Sequence, residues 1–208
     1  MKQLVLLLLS PFLLIGGSIN TRISFTSHPQ TALRTITSAF NAIGYRLDIN
    51  SFIIDKNSGE LNAIAIGTKP FNANALGENL KEQAIRIEKA RMDQNTLYLE
   101  LDTQNASWNV PVLGEDEGVE LKRVSVPQWF RFESAGSIRI QPPYSGRWYP
   151  DIAVFNSDME LLSSFRSTEP KEEFESTLPD GALYLKVSNA QGMKMMKEGM
   201  WIESVGGR

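Results

Sequence analysis

Helical periodicity ends near residue 105, and that change of pattern constrains the fold more than any other feature of the 208-residue chain. Before it, strand-like and helix-like stretches alternate. RISF (22–25) is a short alternating segment, after which Leu33, Ile36, Phe40 and Ile43 recur at helical spacing and Gly44 stands where a helix end is expected. YRLDINSFIID places Leu47 and Ile49 on one face with a slip near Ser51, and with the turn DKNSGE and the run LNAIAIG it forms a hairpin. ALGENLKEQAIRIEKAR puts Leu76, Leu80, Ala84 and Ile87 on one helical stripe, with Glu78 and Lys81, or Glu82 and Arg86, at pairing distance on the wet side. NTLYLELD then sets Leu97, Leu99 and Leu101 against Tyr98, Glu100 and Asp102, a half-buried strand.

The resulting order, β-α-β-β-α-β, resembles a ferredoxin-like module in which two helices cover one face of an antiparallel sheet. Its first strand, RISF, is the weakest element. Modules of similar element order, including the sporulation-related repeat that binds peptidoglycan, recur in bacterial envelope proteins, but order alone does not carry function. Beyond residue 105 short strands follow one another: QWFRFES, GSIRIQ, YPDIAVFNS, MELLSSFR, ALYLKVS and MWIESV, parted by turn signals such as SAG, NSD and LPDG. That spacing predicts a β-sandwich or jelly roll. The chain is thus expected to be α+β: a ferredoxin-like domain over 19–106, an acidic linker over 107–119 and an all-β, jelly-roll-like sandwich over 120–208.

QWFRFES, GSIRI, YPDIAVFNSDMELLSS and LPDGALYLKVS resemble, in order and spacing, the bacterial pre-peptidase C-terminal domain. The shared features are an aromatic strand, a glycine before an apolar strand, a D-x-x-x-F strand and a closing aromatic strand after a turn glycine. Membership would imply a non-catalytic accessory module of secreted proteins, one that in some cases binds extracellular polymer.

MKQLVLLLLSPFLLIGGS (1–18) has the layout of a secretory signal peptide: a positive Lys2, an apolar run from Leu4 to Ile15 and small residues at its end. The run is shorter than the ~20 residues of a membrane-crossing helix, and Ser10-Pro11 interrupts it. A periplasmic or secreted mature chain, starting near Ile19 and keeping no permanent membrane span, is the expectation, with an uncleaved anchor as the alternative. The chain has no cysteine, so stability must come from its own core. A composition of 42% hydrophobic and 22% charged residues is that of a globular protein. The formal charge of −3 and the lack of a basic stripe argue against nucleic acid as a partner.

Catalytic chemistry finds few carriers. His28 is the only histidine; Ser24 and Ser27 are nearby in sequence and Pro29 follows it, which fits a loop or cap better than a triad base. The 24 acidic residues make a carboxylate-dependent hydrolase, or hydrolase accessory, the alternative to a binding role, though none is singled out. No cofactor is expected, with calcium as an open alternative. DKNSGE echoes a calcium loop through Asp55, Asn57 and Glu60 but lacks the closing ligand, so a hairpin turn is the simpler reading. Glu115, Asp116, Glu117 and Glu120, next to Lys122 and Arg123, read either as a solvated linker or as a calcium site stiffening the junction. Met193, Met195, Met196 and Met200, with Lys194 and Lys197 among them, read as irregular core filling or as a soft partner surface.

QPPYSGRWYPD (141–151) is the strongest recognition candidate. It joins two strands at one end of the sandwich. Tyr144, Arg147, Trp148, Tyr149 and Asp151 form either a binding edge for an envelope protein or a cell-wall glycan, or a stiff corner whose aromatics cover the core.

Overall fold

The computed structural model describes residues 17–121, 126–133, 136–142, 147–192 and 199–206. Residues 1–16, Tyr144, Lys122, Arg123 and the stretch from Met193 to Glu198 lie outside the described residues. The chain divides into two compact units, residues 1–109 and 110–208. No described helix is long and apolar enough to cross a membrane.

The first unit comprises β1 (Ser18–Thr26), α1 (Pro29–Ala42), β2 (Tyr45–Asp55), β3 (Ser58–Gly67), α2 (Ala73–Glu82), β4 (Arg86–Asp93) and β5 (Thr96–Asp102). Its five-stranded sheet has the order β2-β3-β1-β5-β4. The helices cover one face, where Ile19, Ile23, Phe25, Leu61, Leu97, Leu99 and Leu101 pack against Ile36, Phe40, Leu76 and Leu80. The slip foreseen near Ser51 is a register shift between Ile49 and Ser51 in the β2–β3 hairpin. Gly67 is required by its neighbour: a Cβ there would fall 2.7 Å from the Tyr45 ring. That tyrosine is 1% exposed and donates its hydroxyl hydrogen to the Lys69 carbonyl at 2.6 Å.

Three expectations for this unit are corrected. RISF is the C-terminal half of a nine-residue strand at the centre of the sheet, because Ile19, Thr21, Ile23 and Phe25 alternate into the core. The second helix stops at Glu82 instead of running on to Arg91. Ala84 takes a left-handed φ of 56° and the chain turns into β4, so Ile87 belongs to a strand and Arg86 pairs with Glu88 and Asp102 instead of Glu82. The sheet is therefore not the four-stranded antiparallel sheet of a ferredoxin-like module. β4 occupies an edge, β5 returns by a hairpin and inserts beside β1, and the β1–β5 pairing is parallel.

The second unit is a β-sandwich. One sheet holds β11 (Leu161–Arg166), β10 (Pro150–Phe155), β13 (Tyr184–Asn189), β8 (Gln128–Phe132) and β6 (Val112–Leu113) in that order. The other holds β12 (Phe174–Thr177), β9 (Gly136–Gln141), β14 (Met200–Gly206) and β7 (Gly118–Leu121). Leu113, Phe130, Phe132, Ile138, Ile140, Ile152, Val154, Leu185, Val187 and Ile202 fill the space between them. All six expected strands are present, and β6, β7 and β12 are additional. Much of the supposed linker over 107–119 is thus sandwich: Leu113 is fully buried and β7 pairs with β14.

Candidate functional site

The loop after β9 ends as a corner. Trp148 is 0% exposed, and its indole Nε1 donates to the Ser188 carbonyl at 2.9 Å, satisfying the one polar atom that burial would otherwise strand. Its backbone carbonyl accepts from Lys171 N, while Tyr149 N and Ala190 N tie the loop to the end of β13 through the Asn189 side chain and the Tyr149 carbonyl. Pro150 is buried as well. A tryptophan with no accessible face cannot stack on a ligand, so Trp148 is withdrawn from the recognition surface. Arg147 is exposed, Tyr149 half-buried, and Asp151 half-buried on the outer face of β10 opposite Arg166.

The acidic candidates do not converge. Glu115 and Asp116 lie in the turn closed by Glu117 N donating to the Gly114 carbonyl, and Asp116 has a φ of 55°. Glu120 sits on β7, paired in register with Trp201. Among the described residues no three carboxylates or histidines gather closely enough to hold a metal ion. DKNSGE forms a hairpin turn in which the Ser58 hydroxyl donates to the Asp55 carbonyl. His28 caps α1 in a left-handed conformation ahead of Pro29, and its carbonyl accepts from Ala32 N. The Ser24 hydroxyl is directed to the Leu99 carbonyl on β5, so serine and histidine have separate structural tasks.

The arrangement that sequence inspection missed lies on the face of the first sheet that carries no helix. Alternation turns Asn20, Arg22 and Ser24 of β1, Glu60 and Asn62 of β3, Tyr98 and Glu100 of β5, and Lys89 and Arg91 of β4 to this side. Tyr98 is the cross-strand neighbour of Arg22 on β1 and of Arg91 on β4. The Arg22 guanidinium carbon lies 5.9 Å from the Tyr98 ring centre and that of Arg91 lies 4.5 Å from it, both within cation–π range. Around them Lys89 pairs with Glu100 at 2.8 Å, and Arg91 makes a long 3.7 Å contact with Asp93. Arg22 lies at the outer limit of that range and has no ion pair among the described residues. Asn20, Arg22, Asn62, Tyr98, Arg91 and Glu100 border a broad, open groove whose lining also includes Ala73, Gly77 and Lys81 of α2.

The chemistry follows from the geometry. A guanidinium that touches an aromatic ring retains most of its N–H donors, and those match the two oxygens of a carboxylate. The ring limits the rotamers of both arginines, which lowers the ordering cost of binding. Amide side chains at Asn20 and Asn62 add neutral donors and acceptors. Sequence inspection could not assemble this set: Arg22 and Tyr98 are 76 positions apart, and the expected helix over β4 had sent Arg91 elsewhere.

No protein-family model matches the chain, and no curated protein matches it. Among solved structures, the pre-peptidase C-terminal domain of a collagenase from Bacillus anthracis aligns with 46% of this chain and 93% of its own, at 12% identity and a TM-score of 0.32. A superposition that loose carries no argument here; the sandwich is established by the sheets of this chain.

Proposed function

We propose that the chain is an exported, non-catalytic binding component of the bacterial envelope, and that it contacts a carboxylate-bearing cell-wall glycan through the helix-free face of its first sheet. The observation that supports this reading is the Arg22–Tyr98–Arg91 arrangement: two guanidiniums held against one ring on an exposed sheet face, among neutral amides and beside a groove. Export rests on the leader-like sequence of residues 1–18. The second unit is an accessory sandwich of the pre-peptidase C-terminal kind, a reading supported by the motif order in its sequence. Its end loop contributes stiffness, with Arg147 and Tyr149 as secondary contacts.

Co-sedimentation of the full chain with purified cell-wall sacculi tests the reading. The protein should pellet, and the double substitution Arg22→Ala with Arg91→Ala should weaken binding about ten- to a hundred-fold, the scale of losing one or two interface anchors. Two results count against the glycan reading: a wild-type chain that stays in the supernatant, and a double variant that pellets undiminished. Cross-linking to an envelope protein, with no affinity for sacculi, would replace glycan with protein as the partner.

A further inference from the structure

The two edges of the first sheet are unlike, and the difference identifies an interface. β4 is charged along its length: Arg86 pairs with Glu88, Lys89 with Glu100 and Arg91 with Asp93. Charges of this kind discourage an incoming strand. β2, the opposite edge, runs for eleven residues and carries no charge between Ile49 and Ile54. Ile49, Ile53 and Ile54 are 46%, 56% and 52% exposed. The stretch contains no lysine or proline, and an open apolar edge is a template for strand addition.

We infer that β2 pairs antiparallel with β2 of a second copy of this chain, continuing the sheet across a two-fold axis between Asn50 and Ser51. The register follows from three constraints that agree. The first is backbone direction. Gly67 N donates to the Gly17 carbonyl on the β1 side, so Tyr45, opposite Gly67, turns its own amide and carbonyl outward, and alternation does the same for Leu47 and Ile49. The register shift at Asn50 resets the alternation, and the tight turn closed at Asp55 and Ser58 leaves Ile54 and Phe52 pointing outward. Outward residues must meet outward residues, which pairs Leu47 with the second copy's Ile54 and Ile49 with the second copy's Phe52.

The second constraint is the face. Leu47, Ile49, Phe52 and Ile54 lie opposite Ala65, Ala63, Leu61 and Gly59 of β3, all on the helix-covered side, so the same register buries apolar against apolar. Without the shift at Asn50 this register would place core-side residues against residues of the other face. The third constraint is charge. Arg46 falls opposite the second copy's Asp55, twice by symmetry, at the two ends of the paired segment. Both residues are exposed; within one copy Arg46 pairs with Asp48 at 3.0 Å, while the Asp55 carboxylate has no ion pair among the described residues, so Arg46 would bridge Asp48 and the second copy's Asp55. Symmetry also brings the two bulges together at the axis, where each strand supplies the same extra residue.

Sedimentation velocity of the full chain over a concentration series tests this, independently of any glycan. The wild type should show a monomer–dimer equilibrium, and Ile49→Lys with Ile54→Lys, at positions 46% and 52% exposed, should yield monomer only while the far-ultraviolet circular dichroism spectrum stays unchanged. Arg46→Glu alone and Asp55→Arg alone should each weaken the dimer by several-fold, and the combined variant should restore it. A wild type that remains monomeric at every concentration overturns the interface. A dimer indifferent to the isoleucine substitutions places it elsewhere, and failure of the combined variant to recover overturns the register.

Discussion

The two units treat their aromatic and charged residues in opposite ways. In the sandwich, Trp148 stands beside prolines, a tyrosine and an arginine, and it is wholly buried with its indole N–H satisfied. In the first unit, Tyr98 stands in an unremarkable alternating strand, and it is left on an uncovered sheet face between two arginines. A sandwich packs two sheets against each other and draws in the large residues of its connections to seal the ends. A sheet with helices on one side only keeps every second residue of each strand at the surface. Local composition therefore misdirects: the richest loop supplies structure, and the plain strand supplies the accessible chemistry.

The largest effect expected from this contrast is on stability. Trp148→Ala should destabilise the second unit by ~3 to 5 kcal/mol, the cost of emptying a buried aromatic site, and should lower its melting transition sharply. The transition of the first unit should stay in place. A Trp148→Ala variant that melts like the wild type would break the comparison by showing that the indole is dispensable.

A smaller effect separates the units by pH. Asp102, at the end of β5, accepts from Gln104 N at 3.0 Å and the Thr26 hydroxyl at 3.1 Å, and it pairs with Arg86 at 2.8 Å. The backbone hydrogen bond from Gln104 lowers its carboxyl most; desolvation, the next largest effect, opposes it, and the Thr26 hydroxyl and Arg86 together leave the group below the usual aspartate range. A depressed folded value means the stabilisation is complete above the unfolded aspartate pKa and is lost as pH falls through the folded one, so it fades below about pH 4. Denaturant melts should show the first unit weakening over that window, with part of the loss absent in Asp102→Asn. An identical pH profile for the two proteins would show that the cluster around Asp102 contributes nothing.

Much of the fold was legible in the sequence because local patterns report burial. Ile36 and Phe40 recur at helical spacing and are buried on α1; Leu97, Leu99 and Leu101 alternate and are buried on β5. The errors arose where two patterns overlap or where partners are distant. Leu76, Leu80, Ala84 and Ile87 fit a helical stripe, yet the left-handed residue at Ala84 ends the helix, and Asp93-Gln94-Asn95-Thr96 is a hairpin turn with Gln94 at φ 51°. The alternation Ile19, Thr21, Ile23, Phe25 follows directly on the leader-like apolar run, which hides the start of β1 at Ser18. β7 (GVEL) and β12 (FEST) are four-residue strands, too short to show an alternation, and their identity comes from the sheet edges they complete. The Arg22–Tyr98–Arg91 face needed three strands brought together, which no local window contains.

Recognition by the first sheet and recognition by the sandwich loop differ in which arginines meet the partner. Arginine-selective chemical modification of the full chain, read by mass spectrometry with and without sacculi, compares the two regions in one experiment. Arg22 and Arg91 should be protected by sacculi while Arg147 keeps its reactivity. Protection of Arg147, with Arg22 and Arg91 modified as freely as in the unbound protein, would contradict it and return recognition to the sandwich loop.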